Sequence, residues 1–103
     1  MRYEIALAPE AGEDLRGLRA DIRTTVRQAI KKHLQYEPSK TSKSRIKRLR
    51  GLSRPQYRLR IGDVRVFYDV TEDTVEVLAI VSKADAAAWL AQMGEPDEGS
   101  GTI

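Results

Sequence analysis

The fold is decided by the stretch from Tyr57 to Val70, which reads YRLRIGDVRVFYDV. Apolar and polar side chains alternate on both sides of Gly62-Asp63, and this pattern predicts two strands joined by a two-residue turn. Glycine supplies the positive φ angle that such a turn requires. The turn also sets the pairing register, so that Ile61 is expected to lie opposite Val64 and the outer pairs follow in order.

This register divides the hairpin into two faces, because side chains alternate across a sheet. One face is apolar and is expected to form the core: Tyr57, Leu59, Ile61, Val64, Val66 and Tyr68. The other face is expected to meet solvent with Arg58, Arg60, Arg65 and Phe67. Arg60 would lie opposite Arg65, where like charges are destabilising. Such a face suits phosphate groups, with a ring on which a base stacks. The alternative is that acids such as Glu76 or Asp69 neutralise it in salt bridges.

The residues around the hairpin predict the other elements. Alternation predicts a strand over residues 3–8, and apolar spacing of three and four predicts helices over 10–18 and, with Asp21 as N-cap, over 21–34. A short edge strand or turn is predicted over 46–52, and an apolar central strand over 75–81. Ser82 with Asp85 predicts the start of a last helix over 83–93. This order predicts an α+β fold, an antiparallel sheet of about four to five strands with an N-terminal helical hairpin and a C-terminal helix.

Length and composition restrict the classes of function. The 103 residues predict a single domain over residues 1–93 and a flexible acidic tail over 94–103. The chain has no cysteine and one histidine, His33, which excludes disulfides and cysteine- or multi-histidine metal sites. We expect no cofactor, no metal and no membrane contact, and a cytoplasmic location. His33 is expected to be a surface or boundary residue of the second helix.

The basic residues are concentrated in one block. Residues 40–65 contain ten lysines and arginines and one acid, Asp63, whereas residues 66–103 contain one lysine and eight acids. A concentrated positive field steers polyanions, and RNA is the expected one. The alternative is a solvated basic face without a partner. Cations ahead of the hairpin are expected to bind the RNA backbone without reading its sequence: Lys43, Arg45, Lys47, Arg48 and Arg50.

Three segments carry a resemblance to a known family: Leu49-Arg50-Gly51-Leu52, the hairpin over residues 57–70, and Val75-Glu76-Val77-Leu78-Ala79-Ile80. With these segments the sequence resembles the RelE/ParE toxin superfamily of type II toxin–antitoxin systems, and the RelE-like branch in particular. The opening strand, the run from Ala8 to Leu15 and the helical hairpin also fit that family. The resemblance covers residues 2–91.

The resemblance implies a RelE-like fold and a toxin function. RelE-like toxins cleave mRNA in the ribosomal A site and so inhibit translation, whereas ParE-like members poison DNA gyrase. The implied partners are a cognate antitoxin protein and the ribosome, with its rRNA and A-site mRNA, while operator DNA is bound only through the antitoxin. The alternatives to a ribosome-dependent endoribonuclease are a ParE-like gyrase inhibitor and a catalytically weakened toxin that mainly binds its antitoxin.

The resemblance also implies catalytic roles. RelE-like chemistry is attack of a ribose 2′-hydroxyl on the adjacent phosphate, which needs a proton acceptor, cations for the developing charge and a proton donor. Arg58 and Arg60 stand where the family has lysines, and Arg65 matches an arginine of the family. The family has another arginine shortly after the last strand, and Lys83 is the candidate to replace it here. Arginine holds phosphate well but is a poor base, since its pKa lies above about 12. The family's C-terminal tyrosine has no counterpart; Trp89 follows instead, and it cannot transfer a proton.

Overall fold

The structure, a computed structural model, describes residues 1–97. Its elements in chain order are β1 (Glu4–Leu7), α1 (Pro9–Arg16), α2 (Ala20–Leu34), β2 (Ile46–Arg48), β3 (Leu52–Arg54), β4 (Tyr57–Ile61), β5 (Val64–Val70), β6 (Thr74–Ser82), α3 (Lys83–Met93) and β7 (Glu95–Pro96). One sheet has the strand order β1-β6-β5-β4-β2, and β3 pairs with β7 apart from it. The α+β class, the N-terminal helical hairpin and the C-terminal helix are confirmed.

The predicted hairpin forms with the expected register. Ile61 pairs with Val64 and Arg60 with Arg65, and the pairing continues to the far end of β4. Gly62 has φ 56°, which any side chain would oppose. The register follows from sequence because a one-residue slip would turn the apolar face of both strands toward water.

The helices α1 and α2 pack on one face of the sheet, which we call the helix face. Its buried side chains are Ala11, Leu15, Val26, Ile30 and Leu34 from the helices and Ile46, Leu59, Val66, Tyr68, Val75, Val77 and Ile80 from the strands. Each large apolar side chain buried here stabilises the fold by about 1.5–3 kcal/mol. The opposite face, which we call the outer face, carries the side chains of the intervening residues of each strand.

The sheet is mixed, which differs from the antiparallel prediction at one pair of strands. β1 runs parallel to β6, with Glu4 opposite Thr74 and Leu7 opposite Val77. Alternation in a short strand shows which face is apolar but not in which direction the strand pairs. α1 is joined to β6 by a hydrogen bond in which the Asp14 carboxylate accepts from the backbone N–H of Ile80 at 2.9 Å.

N-cap residues were predicted for two helices, and one of them is correct. The Ser82 hydroxyl accepts from the backbone N–H of Asp85 at 3.2 Å and caps α3, as expected. The N-cap of α2 is Arg19 and not Asp21. Asp21 lies inside the first turn, where the Arg19 guanidinium donates to it at 3.0 Å and lowers the pKa of the carboxyl.

The segment after α3 begins with paired residues. Glu95 and Pro96 form β7 against β3, and the backbone N–H of Asp97 donates to Gly51 O at 3.0 Å. The remainder of the predicted tail, residues 98–103, lies outside the described residues. No helix in residues 1–97 is long and apolar enough to cross a membrane.

Candidate nucleic-acid interface

Basic side chains gather at one end of the outer face. We call Arg58, Arg60 and Arg65 the arginine cluster. Arg60 pairs directly with Arg65 across the hairpin, and Arg58 lies between Lys47 of β2 and Phe67 of β5. Opposite residues on neighbouring strands have Cβ atoms about 5 Å apart, so strand pairing alone brings these cations together.

Arg65 is more enclosed than the sequence suggested. Its exposed fraction is 7%, and its Nη1 donates to the carbonyl oxygens of Gly62 at 2.9 Å and Val64 at 3.1 Å. The prediction of a solvent-facing side chain is therefore wrong for Arg65, because its guanidinium turns back onto the carbonyls of its own hairpin. Backbone carbonyls fix the group in place but carry no net charge, so the positive charge persists.

Arg58 is half-buried. Its Nη2 donates to Ser44 O at 3.4 Å, and its buried Nε has no hydrogen-bond partner among residues 1–97. Burial, followed by the nearby charges of Arg65 and Arg60, lowers the pKa of Arg58. A cation that is partly desolvated and surrounded by like charge is the one that gains most from a bound anion.

The carboxylates of the outer face are engaged elsewhere. Arg54 lies 3.1 Å from Glu76, 3.7 Å from Asp69 and 3.9 Å from Glu95, and we call this group the Arg54 network. Within the described residues no carboxylate lies within 4.0 Å of a nitrogen of Arg58, Arg60 or Arg65. The alternative in which Glu76 or Asp69 neutralises the hairpin arginines is therefore wrong.

Lys83 begins α3 beside the hairpin turn. Its backbone N–H donates to Asp63 O at 2.8 Å, and the preceding Ser82 pairs with Val64. The side chain of Lys83 is exposed. The start of α3 therefore places a fourth candidate cation next to the turn that also holds Arg65.

Phe67 is fully buried, so the prediction that it faces solvent is wrong. The Trp89 ring of α3 stacks on it with centroids 5.0 Å apart and planes 5° from parallel. The parity prediction was correct, but α3 covers this part of the outer face. Trp89 is itself only half-buried, so it presents the accessible aromatic surface at this position.

The other predicted RNA contacts are divided between two sides of the sheet. Lys47 lies on the outer face beside Arg58, whereas Arg48 turns toward Tyr57, with its guanidinium carbon 5.2 Å from the ring centroid. Arg48 also donates to Gln56 O at 2.8 Å. Lys43, Arg45 and Arg50 are exposed in the segments that flank β2. Lys47 therefore lies beside the arginine cluster, and Arg48 does not.

Tyr68, at the end of the hairpin far from its turn, does not supply a proton-transfer group. The Tyr68 hydroxyl donates to Pro38 O at 2.7 Å inside the core. Burial, followed by Tyr57, raises the pKa of Tyr68. Tyr68 therefore belongs to the core and not to the arginine cluster.

Sequence reasoning predicted Arg45 as an RNA contact but not the basic surface of which it is part. His33 lines a cavity of about 380 Å³ together with Lys32, Tyr36, Lys40, Ser42 and Arg45. Its residues come from α2 and from the loop before β2, so their proximity depends on how that loop returns. Among residues 1–97 no three His, Cys, Asp or Glu side chains lie in an arrangement that could hold a metal ion.

Comparison with known families now places the chain. The family model described as "ParE toxin of type II toxin-antitoxin system, parDE" matches residues 5–87. The chain belongs to this family. It is therefore a type II toxin of the RelE/ParE superfamily, as the resemblance of the hairpin and its flanking segments predicted. No curated protein matches the chain significantly.

Solved structures of toxin–antitoxin complexes share the fold of this toxin. The RelBE2 complex from Mycobacterium tuberculosis matches with 24% identity and a TM-score of 0.63, over 80% of this chain and 99% of that one. The RelE–RelB complex from Pyrococcus horikoshii matches with 24% identity and a TM-score of 0.66, over 81% and 97%. The RelB–RelE complex from Methanococcus jannaschii matches with 23% identity and a TM-score of 0.63, over 82% and 96%.

Proposed function

We propose that this toxin is a ribosome-dependent endoribonuclease that binds mRNA through the arginine cluster and so inhibits translation. The observation that carries the proposal is the gathering of Arg58, Arg60 and Arg65 at one end of the outer face, where no carboxylate of residues 1–97 lies within ion-pair distance of them. A protein that used these residues for stability alone would neutralise them, because opposed like charges on paired strands are destabilising. Their natural counter-ion is a phosphate group.

The chemistry needed is transesterification within the RNA chain. The 2′-oxygen of a ribose bonds to the adjacent phosphorus, the bond to the 5′-oxygen breaks, and the 2′-proton leaves while the 5′-oxygen gains a proton. The products carry a 2′,3′-cyclic phosphate and a 5′-hydroxyl. Negative charge grows on the phosphoryl oxygens in the transition state, and fixed cations in a partly dehydrated site stabilise it strongly.

The three arginines suit different parts of this task. Arg65 is held by two carbonyl hydrogen bonds and is pre-organised. Arg58 is partly desolvated, which strengthens its attraction to a phosphoryl oxygen. Arg60 is exposed and able to follow the RNA backbone, as are Lys47 and Lys83. We assign phosphate binding and charge stabilisation to these groups and leave the proton transfers to a group outside the cluster.

A cognate antitoxin is proposed as the protein partner. The three related structures named above were solved as complexes of toxin and antitoxin. Operator DNA would be reached through that antitoxin, and the ribosome would supply rRNA and A-site mRNA. An acidic antitoxin segment over the arginine cluster would compete directly with RNA for the same cations.

A ParE-like gyrase inhibitor is the second candidate, and the matched family description favours it. In that case the arginine cluster would bind protein or DNA without cleavage. The two candidates differ in their target, so one experiment separates them.

The test adds the purified toxin to a cell-free translation reaction and maps mRNA ends by primer extension. A parallel reaction measures supercoiling by gyrase. We expect new mRNA ends within A-site codons, no such ends with Arg58→Gln, and unchanged supercoiling. Inhibited supercoiling with intact mRNA would replace the first candidate by the second. Intact mRNA and normal supercoiling would leave a weakened toxin that mainly binds its antitoxin.

A further inference from the structure

We infer that the cavity between the end of α2 and the edge strand β2 is a second nucleotide-binding subsite. It would take one phosphate on its cations and one base on the ring of Tyr36. The ligand class is single-stranded RNA. The inference rests on the proposed function only in that the ligand is RNA, and its test measures occupancy of the cavity without cleavage.

The lining of the cavity is basic on both walls. α2 contributes Lys32 and His33, and the following loop contributes Lys40, Ser42 and Arg45. Cations in the last turn of a helix also stabilise its C-terminus. That role accounts for the α2 residues but not for Lys40 and Arg45, which lie beyond the helix. Glu37 is the one acid in the lining, and it lies 3.4 Å from Lys40.

The loop wall is held in shape by Ser42. The Ser42 hydroxyl accepts hydrogen bonds from the backbone N–H groups of Arg45 at 3.0 Å and Ile46 at 3.1 Å. The backbone N–H of Ser42 donates to Ile46 O at 2.9 Å. These bonds close the loop immediately before β2. The Arg45 side chain is therefore carried on a fixed turn rather than on an open chain, which limits the entropy lost when it binds.

Tyr36 distinguishes a nucleotide from a simple anion. Its side chain lines the cavity although its exposed fraction is 60%. An exposed aromatic ring beside cations is the arrangement with which proteins bind single-stranded nucleic acid, because every base has a face that stacks. An acidic peptide would use the cations but would gain little from the ring.

The cavity is connected to the arginine cluster by the same loop. Arg58 donates to Ser44 O, and the backbone N–H of Arg60 donates to Arg45 O at 2.8 Å. β2 is the terminal strand of the sheet on this side, so a strand of RNA can pass around its edge from the outer face to the cavity. The two surfaces would then hold successive parts of one RNA chain.

His33 is a built-in reporter of occupancy. Burial lowers its pKa, and the charges of Arg45 and Lys32 lower it further. Lys40, Glu37 and Tyr36 are the other titratable groups that line the cavity. A bound phosphate would favour the protonated imidazole and raise this pKa. His33 is the single histidine of the chain, so its NMR signal needs no assignment.

The experiment titrates His33 by NMR in the full-length toxin, alone and with a short single-stranded 2′-O-methyl RNA, which 2′-hydroxyl attack cannot cleave. We expect the RNA to raise the His33 pKa and Lys40→Gln to reduce that rise. Lys40→Gln should lower the slope of log K against log salt by about 0.7. Tyr36→Leu should weaken RNA binding at least about fivefold with an unchanged slope. Lys31→Gln removes an exposed charge from the same helix outside the cavity and should behave as the wild type.

Three results would overturn the inference. A rise of the His33 pKa with inorganic phosphate but not with RNA would indicate an adventitious ion only. A rise with polyglutamate but not with RNA would assign the cavity to an acidic protein surface. RNA binding that leaves His33 unmoved would place the RNA elsewhere, and the proposed function would stand if that RNA is bound by the arginine cluster.

Discussion

Arginine side chains have different partners at the two ends of the outer face. At one end Arg54 is surrounded by the carboxylates of Asp69, Glu76 and Glu95. At the other end the arginine cluster has backbone carbonyls as partners and, within residues 1–97, no carboxylate within ion-pair distance. The Arg54 network draws its residues from β3, β5, β6 and β7, and the arginine cluster draws its residues from β4 and β5. β5 therefore contributes to both ends, and the two ends differ in which charged side chains meet there.

The difference separates charges that stabilise the fold from charges that are available to bind a ligand. The Arg54 network joins β5 and β6 to β7, and the half-buried Asp69 also accepts from the backbone N–H of Gln56 at 2.8 Å. Neutralisation there holds the chain together. The arginine cluster joins nothing by charge, and its repulsion is relieved only when an anion arrives. Substitutions in the Arg54 network should therefore lower stability and leave activity unchanged, whereas substitutions in the arginine cluster should lower activity and leave stability unchanged or higher.

The largest effect is expected from Arg58→Gln. Removing one fixed donor from a site that stabilises developing charge lowers the rate by about 100- to 1,000-fold. Single-turnover cleavage of ribosome-bound mRNA measures this. The folded state should not be weakened, because the half-buried guanidinium lies near the like charges of Arg65 and Arg60. Arg54→Gln is the matched control and should cleave as the wild type; an equal loss in both variants would erase the distinction between the two ends.

Arg54→Gln should instead act on stability. It leaves the Asp69 side chain, 14% exposed, without its cation, although the exposure of Arg54 itself limits the loss. We expect the free energy of unfolding to fall by about 1 kcal/mol. Urea unfolding with an unchanged m-value measures the loss. An unchanged midpoint would show that the network contributes nothing to the fold.

A smaller effect of opposite sign is expected from Arg60→Glu. The substitution converts a like-charge cross-strand pair with Arg65 into an opposite-charge pair and should raise the free energy of unfolding by about 0.5 kcal/mol. RNA binding should weaken at the same time. Arg60→Gln separates the loss of repulsion from the gain of attraction. A variant that is less stable and binds RNA as before would contradict the account of this end of the face.

Much of this arrangement could be predicted from sequence. Gly62 and the alternation around it were enough to give the register and the pairing of Arg60 with Arg65. Ser82 gave the start of α3 because a capping interaction is local. The burial of Phe67 could not be predicted. Alternation along a strand shows which face of the sheet a residue lies on, but it does not show which element packs on that face. The enclosure of Arg65 could not be predicted either, because its guanidinium folds back onto the carbonyls of Gly62 and Val64. The parallel direction of β1 depends on a partner seventy residues away.

The smallest effect concerns pH. Burial and the charges of Arg45 and Lys32 lower the pKa of His33 from 6.5 in the folded protein. Between the two pKa values the unfolded chain binds more protons, so acidification in this range lowers the stability of the wild type. His33→Gln removes this dependence. The check is the change in unfolding free energy from about pH 8 to about pH 5.5, which should be smaller in the variant. Equal changes in the wild type and the variant would show that the pKa of His33 is not lowered in the folded protein.

The central claim is that the uncompensated arginines bind phosphate, and the salt dependence of RNA affinity tests it most directly. Each phosphate contact on a single strand contributes about 0.7 to the slope of log K against log salt. We predict that Arg58→Gln reduces the slope by about 0.7, and that Arg27→Gln, which removes an exposed arginine from α2, leaves it unchanged. Equal slopes in the wild type and Arg58→Gln would contradict the account.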